Sequence, residues 1–308
     1  MTRRTTGIAL AFLTATISGV SIYVNSLAVK HFSDQTAYTT AKNGVAGLLL
    51  LLVLWGFRRA DRGHEPRTKA DRRSAPALVL LALIGGSVPF VLFFEGLARA
   101  QATQAAFIQK TLVVWVAILA VPLLRERFRL PHALAIALLV AGQAWLVGSA
   151  GKVVFGQGEA MILAATLLWA VEVIYVKRLL ASYDSHLLAA ARMGLGTLLL
   201  LGWLAATGKL SMLSSMSAEQ WRWVALTGGL LCGYVGTWYA ALARAQAIDV
   251  TAVLVFGAVI TALLAGTAGS SPISVPGVVL IVLGSALVAA TTLRTPAGVR
   301  RHGNAALP

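Results

Sequence analysis

Two ionisable side chains sit where a charge is costly. Glu172 lies inside an apolar run near 158–177, and Lys110 inside another near 102–123. On insertion scales a charge at mid-membrane costs about 3 kcal/mol, so such a residue faces protein or water and has a partner or a task. A carboxylate there takes up a proton or holds a ligand ammonium; an ammonium holds a ligand carboxylate. Lys110 stands beside Gln109, and Glu95 in the preceding run is its natural salt-bridge partner across a short hairpin. The structural alternative for Glu172 is Lys177, five residues on, a poor spacing for a helical pair. Trp169 lies close by, and Tyr234, Trp238 and Tyr239 supply aromatic faces that stack on a ligand or anchor a span end at the interface. Lys42 and Arg192 occupy matching places in two other runs, which argues for a shared structural job.

A polar stripe accompanies them. Thr14, Ser18, Ser21 and Asn25 are spaced four, three and four apart, so they share one face of a helix. Such a face turns toward other helices or toward a cavity, because lipid gives it nothing to bond. Aligning Gly7 with Gly158 sets Ser18 on Trp169 and Ser21 on Glu172, which favours a cavity lining.

The elements that position these groups follow from hydropathy. Only 12% of the 308 residues are charged and 58% are hydrophobic, against about a quarter charged in a soluble domain. A single soluble core of this length cannot hide that surplus. Crossing a bilayer takes roughly 20 apolar residues as a helix. Ten such spans are expected, near 7–28, 36–57, 76–98, 102–123, 131–149, 158–177, 185–206, 221–243, 249–268 and 274–292. The ninth is the weakest, since its end runs into Gly266–Ser271. The first run is too long for a usual signal peptide and is followed by more spans, so it is expected to be a retained helix. The formal charge of +15 is carried in the gaps between runs, the membrane pattern and not that of a nucleic-acid surface. With the N-terminus cytoplasmic, eighteen Lys and Arg fall on that side and five on the other. Both termini are then cytoplasmic. The segment Arg58–Arg73 reads as a solvated basic connector.

Self-comparison divides the chain. Leu97-Ala-Arg-Ala-Gln-Ala102 recurs unchanged as Leu242-Ala-Arg-Ala-Gln-Ala247, and at the same offset Pro131 falls on Pro276. Lys42-Asn-Gly-Val45 resembles Arg192-Met-Gly-Leu195, and Leu83-Ile-Gly-Gly86 resembles Leu226-Thr-Gly-Gly229. Matches in one order define two halves, 1–150 and 151–308, with five spans each. An odd number of spans makes the second half enter from the other side. The expected fold is therefore an all-α membrane protein of ten transmembrane helices in two inverted five-helix repeats. Such repeats are a transporter device, with the substrate site at midplane where the halves meet. Gly85, Gly86 and Pro89 are expected to interrupt the third span, and Gly228, Gly229 and Gly233 the eighth, as paired hinges.

Several short motifs resemble the EamA-type transporters of the drug/metabolite transporter superfamily. They are Leu167-Leu-Trp-Ala170, Gly96-Leu-Ala-Arg99, Leu123-Leu-Arg-Glu126 and Gly142, and the likeness runs from Gly7 to about Leu293. Span one departs from it with Ser18-Gly19 in place of the usual Trp-Gly, and Gly266–Ser271 lacks the usual acidic residue. The resemblance implies ten helices in two repeats and a small-molecule carrier, commonly an exporter, in the cytoplasmic membrane.

The expected function is secondary transport of a small amphipathic metabolite outward, by alternating access and in exchange for protons. Amino acids fit one buried acid and one buried base flanked by aromatics. Efflux of lipophilic compounds and a passive small-solute channel are the alternatives. The sequence has no GxxxxGK[ST], so no nucleotide cofactor is expected. Its five histidines, His31, His64, His132, His186 and His302, are neither mid-span nor in HExxH, so neither a metal nor a hydrolytic enzyme is expected. The lone Cys232 excludes an internal disulfide framework.

Overall fold

The computed structural model describes residues 2–60, 75–126, 128–149, 155–268 and 274–294. Most of the basic connector, Arg127, Lys152, His64, His302 and the tail arginines lie outside these residues. Among the described residues all regular structure is helical, in ten long helices, a 3-10 turn at Val29–His31 and a single turn at Ser211–Ser214. The long helices are α1 (Arg3–Ala28), α2 (Gln35–Ala60), α3 (Ala75–Leu97), α4 (Ala102–Leu124) and α5 (Leu130–Ser149). They continue with α6 (Gln157–Leu179), α7 (Ser185–Ala206), α8 (Ala218–Leu242), α9 (Ala247–Thr267) and α10 (Val275–Arg294).

Their starts are set by local chemistry. The Thr2 hydroxyl accepts from Thr5 N at 3.2 Å, Asp184 caps α7, and Ser217 with Gln220 forms a capping box on α8. Seven helices are long and apolar enough to cross a membrane, and α5 and α10 carry shorter apolar stretches. Their outward faces hold Leu48, Leu198 and Trp145 at 60%, 62% and 57% exposure. Apolar surface repeated along every side of a bundle has lipid as its natural solvent. The molecule is an all-helical, multi-pass membrane protein.

The packing follows a simple rule of exchange. α1 lies on α8 and α9, while α6 lies on α3 and α4; α2 lies on α8 while α7 lies on α3. α2 meets α7, α4 meets α9 and α5 meets α10. For each of these contacts, shifting both helix numbers by five gives another of them or the same pair. Lys177, near the end of α6, donates to the carbonyls of Leu242 and Ala245 at the end of α8. Arg3, at the start of α1, donates to Ala243 O at that same end. The start of α1 and the end of α6 therefore share one end of the bundle, so these two helices run in opposite directions.

Interruptions occur at particular places. α3 contains a π-helical turn at Ala82–Ser87, a distortion that inserts into an α-helix at little cost when its freed groups find partners. Pro89 has no N–H for the Gly85 carbonyl four residues back, and Trp169 Nε1 donates to it instead at 3.2 Å. Asn43 Nδ2 donates to Gly86 O at 3.2 Å. α8, by contrast, runs unbroken from Ala218 to Leu242. Its glycines do not interrupt it, because glycine keeps its N–H and only proline removes one. The matched breaks fall instead in α4, at Thr111, and in α9, between Leu254 and Gly257.

Candidate functional site

A buried polar contact joins α6, α7 and α8. Glu172 stands seven residues before the end of α6 at Leu179, and Arg192 seven after the start of α7 at Ser185. The hairpin therefore sets them at one depth. Arg192 Nη2 donates to Glu172 Oε2 at 3.3 Å, and the Tyr239 hydroxyl donates to Glu172 Oε1 in a short hydrogen bond. Glu172 and Arg192 are 1% and 2% exposed, so the pair is held without solvent. Such a pair contributes little net stability but is costly to break from one side. The other two Arg192 nitrogens, Nε and Nη1, have no hydrogen-bond partner among the described residues. A Cβ at Gly85 would lie 2.8 Å from Glu172 Cγ and 3.0 Å from Arg192 Nε. Glycine at that position is what lets α3 close over the pair.

A cavity of about 30 Å³ opens beside this pair, room for a water molecule or two. Gln109 and Leu112 of α4, Trp169 of α6, and Tyr234 and Trp238 of α8 form its walls with Phe90. Phe90 packs edge-on to Trp169 with centroids 5.4 Å apart, and Tyr234 stacks on Trp238 at 6.1 Å. The lining comes from both sequence halves. The structure thus brings Gln109, Trp169, Glu172, Tyr234 and Trp238 together around one space.

Other expected residues go elsewhere. Glu95 does not meet Lys110; it pairs with Arg99 at 2.6 Å in a partly exposed contact. Glu95 is two residues from the end of α3 at Leu97, and Lys110 eight from the start of α4 at Ala102. At 1.5 Å per residue the two are offset along the hairpin by roughly 9 Å. Lys110 Nζ donates instead to Ser18 Oγ at 2.7 Å and to Gln109 Oε1 at 2.8 Å. Lys177 is likewise no partner for Glu172, being held by the α8 carbonyls.

The α1 stripe does not line the cavity; it ties helices together. Thr14 bonds Thr237 of α8 at 2.8 Å, Ser18 accepts from Lys110 of α4, and Asn25 Oδ1 accepts from Tyr38 of α2 at 2.6 Å. Ser21 accepts from Asn25 Nδ2 at 3.1 Å within the stripe. Lys42, 1% exposed, reaches Asn25 Oδ1 at 3.4 Å and lies 3.0 Å from the Phe94 ring centroid. It is held by aromatic faces, with no carboxylate among the described residues. Sequence reasoning missed Arg192 as a member of the cavity. The signal was present: an acid and a base of opposite charge at one depth of consecutive spans.

The two ends of the bundle are shut differently. At the end holding the start of α1, Arg4 Nη2 meets Asp249 Oδ2 at 2.9 Å and His132 Nε2 lies 3.3 Å from Oδ1. Glu126 accepts from the first backbone amides of α9, Ala247 N at 2.7 Å and Ile248 N at 3.1 Å. Burial pushes the Glu126 carboxyl above the usual range, opposed by those two amides and by Lys177. Asp249 is fully buried and His132 nearly so. At the other end the ties are wetter. Lys209 meets Asp34 at 2.7 Å with its side chain 49% exposed, and His31 meets an exposed Glu219 at 3.3 Å. Burial lifts the Asp34 carboxyl, but Lys209 and the Ala37 amide outweigh it and hold it below the usual range.

Comparison with known proteins agrees with this architecture. The EamA-like transporter family matches the chain twice, over residues 5–148 and 156–290. The chain belongs to that family. It is 24% identical over 206 residues to an uncharacterized transporter of Methanothermobacter thermautotrophicus, a match that covers 62% of this chain and 59% of that relative's length. A chain in a solved crystal structure is similar over 94% of this chain and 99% of its own, with a TM-score of 0.72 at 18% identity. That likeness shows the fold.

Proposed function

We propose that the protein is a secondary carrier of the cytoplasmic membrane that exports a small amphipathic metabolite by alternating access. All ten long helices cross the bilayer in this reading, as two inverted five-helix repeats over 1–150 and 151–308 with both termini cytoplasmic. The exchange rule of the packing, the opposite run of α1 and α6, and the two family matches support the repeat. The excess of Lys and Arg on the side of the N-terminus supports the orientation. One observation carries the mechanism: a small cavity lined by both halves lies between a buried polar closure at the N-terminal end and a more exposed one opposite. Rocking the halves would open one end as the other shuts. Gln109, Trp169, Glu172, Tyr234 and Trp238 are the residues that meet the cargo.

Single-cysteine accessibility tests it. With Cys232 replaced by alanine, a Leu112→Cys thiol in the cavity wall is probed in oriented vesicles with an impermeant maleimide added to either side. An alternating carrier reacts from both sides, at rates that move in opposite directions when a mutation biases one closure. A thiol reached from one side alone contradicts alternation. Equal rates that rise and fall together describe a channel.

A further inference from the structure

Resting on the carrier reading, we infer that the cargo is a small organic anion, a carboxylate on an aromatic or otherwise apolar body, received by the unpartnered nitrogens of Arg192. Three cations are buried within the spans, Lys42, Lys110 and Arg192, each no more than 2% exposed. Among the described residues Glu159 and Asp249 are buried near helix starts, bound to Gly156 N and to Arg4; Glu172 is the carboxylate at the cavity, and both its oxygens are taken, by Arg192 and by Tyr239. The site is therefore rich in donors and poor in acceptors. A cationic cargo would meet an acid with both oxygens taken; an anionic one meets N–H donors that are not.

The geometry fixes where the anion goes. Arg192, one of the cavity's wall residues, uses Nη2 on Glu172 and leaves Nη1 and Nε without partners, with Nε against Gly85. An unpaired guanidinium N–H is a strong, charge-assisted donor to a carboxylate oxygen. A buried donor without an acceptor is costly, so a ligand that supplies acceptors binds with that cost relieved. Gln109, across the same cavity, has its carbonyl occupied by Lys110, so its amide nitrogen is the end left for a ligand oxygen. Lys42 stands behind the aromatic wall. Its Nζ lies 5.6 Å from the Phe90 centroid, and Arg192 Cζ lies 5.4 Å from the same ring. Trp169, Tyr234 and Trp238 then cover the body of the anion. The cavity of about 30 Å³ is smaller than such a body, so the walls part as it binds.

The test is thermal unfolding of the purified full chain with four probes of similar shape but different charge. Benzoate and indole-3-acetate are the anions, phenylalanine the zwitterion and benzylamine the cation. A ligand that binds only the folded state raises Tm. Both anions are expected to stabilise by a few degrees at about tenfold above their dissociation constants, and benzylamine not at all. Arg192→Gln is expected to abolish the anion effect. Because that substitution also unpairs Glu172 and can unfold the chain, Glu172→Gln is the second variant. Replacing the anion's competitor for the guanidinium with a neutral group should tighten anion binding about tenfold. Stabilisation by benzylamine that Glu172→Gln removes would overturn the inference, as would anions that leave Tm unchanged. An anion effect that survives Arg192→Gln in a folded protein would do the same. Opposed labelling of the Leu112→Cys thiol with no anion effect would leave the carrier reading intact and reject only the charge of the cargo.

Discussion

Asp249→Asn should open the N-terminal end of the bundle. The Asp249 carboxylate is fully buried and binds Arg4 at 2.9 Å, so it joins α9 to the start of α1, and His132 Nε2 of α5 stands 3.3 Å from its other oxygen. Removing one member of a buried ion pair costs about 3–5 kcal/mol, because the survivor is stranded. Here the survivor is only partly stranded, since the Arg4 side chain is 27% exposed and can turn toward water. An effective loss of about 2 kcal/mol follows by that reasoning. If the contact exists only while this end is shut, the whole loss falls on the closed state, and the ratio of open to closed rises by roughly thirtyfold. The assay is maleimide labelling of the Leu112→Cys thiol from the N-terminal side, compared with and without Asp249→Asn. The labelling rate from that side should rise by about the same factor while open forms remain the minority, and the rate from the far side should fall. A lower Tm with both labelling rates unchanged would refute the reasoning. It would mean that Arg4, His132 and Asp249 stay together in every state and serve only stability.

Three further outcomes can be checked by thermal melts. A Cβ at Gly86 would lie 2.0 Å from the Arg192 carbonyl, whereas one at Gly229 meets nothing within 4 Å; Gly86→Ala should cost about 3 kcal/mol or prevent folding, and Gly229→Ala should be neutral. Glu126→Ala strips both acceptors from the first amides of α9 and should cost about 1–2 kcal/mol, with Glu126→Gln recovering part of it. Asp34 has its carboxyl below the usual 3.8. Its contribution is complete above that value and lost as pH falls through the depressed one, so Asp34→Asn should melt below the wild type at neutral pH and converge with it in strong acid.

How much of this was legible in the sequence depends on the range of each signal. The helices were, because every span is a local run of apolar residues and α1–α10 fall where those runs lie. The two matches of the family to 5–148 and 156–290 accord with the repeat read from the Leu97–Ala102 and Leu242–Ala247 copies. The polar stripe of Thr14, Ser18 and Asn25 was visible as a face, but its partners were not. Those partners are Thr237, Lys110 and Tyr38, from three helices far apart in the chain. The Glu95–Lys110 expectation failed for a reason that counting would have shown. Sharing a hairpin is not sharing a depth, and Glu172 with Arg192 meets that condition where Glu95 with Lys110 does not.

Hydropathy and internal likeness are properties of the chain itself, so the sequence alone determined that this is a helical membrane protein built from two similar stretches, and which residues are too costly to face lipid. Tertiary structure decided what those residues do. A helix turns about 100° per residue, so one residue of uncertainty in rotation or depth is enough to move a side chain from a cavity to a neighbouring helix. The pairing of Glu172 with Arg192 and Tyr239, the unpartnered nitrogens of Arg192, and the break of α4 at Thr111 all depend on how ten rods settle against one another. That settlement is governed by close contacts such as Gly86 against Arg192, and no window of sequence contains both sides of such a contact.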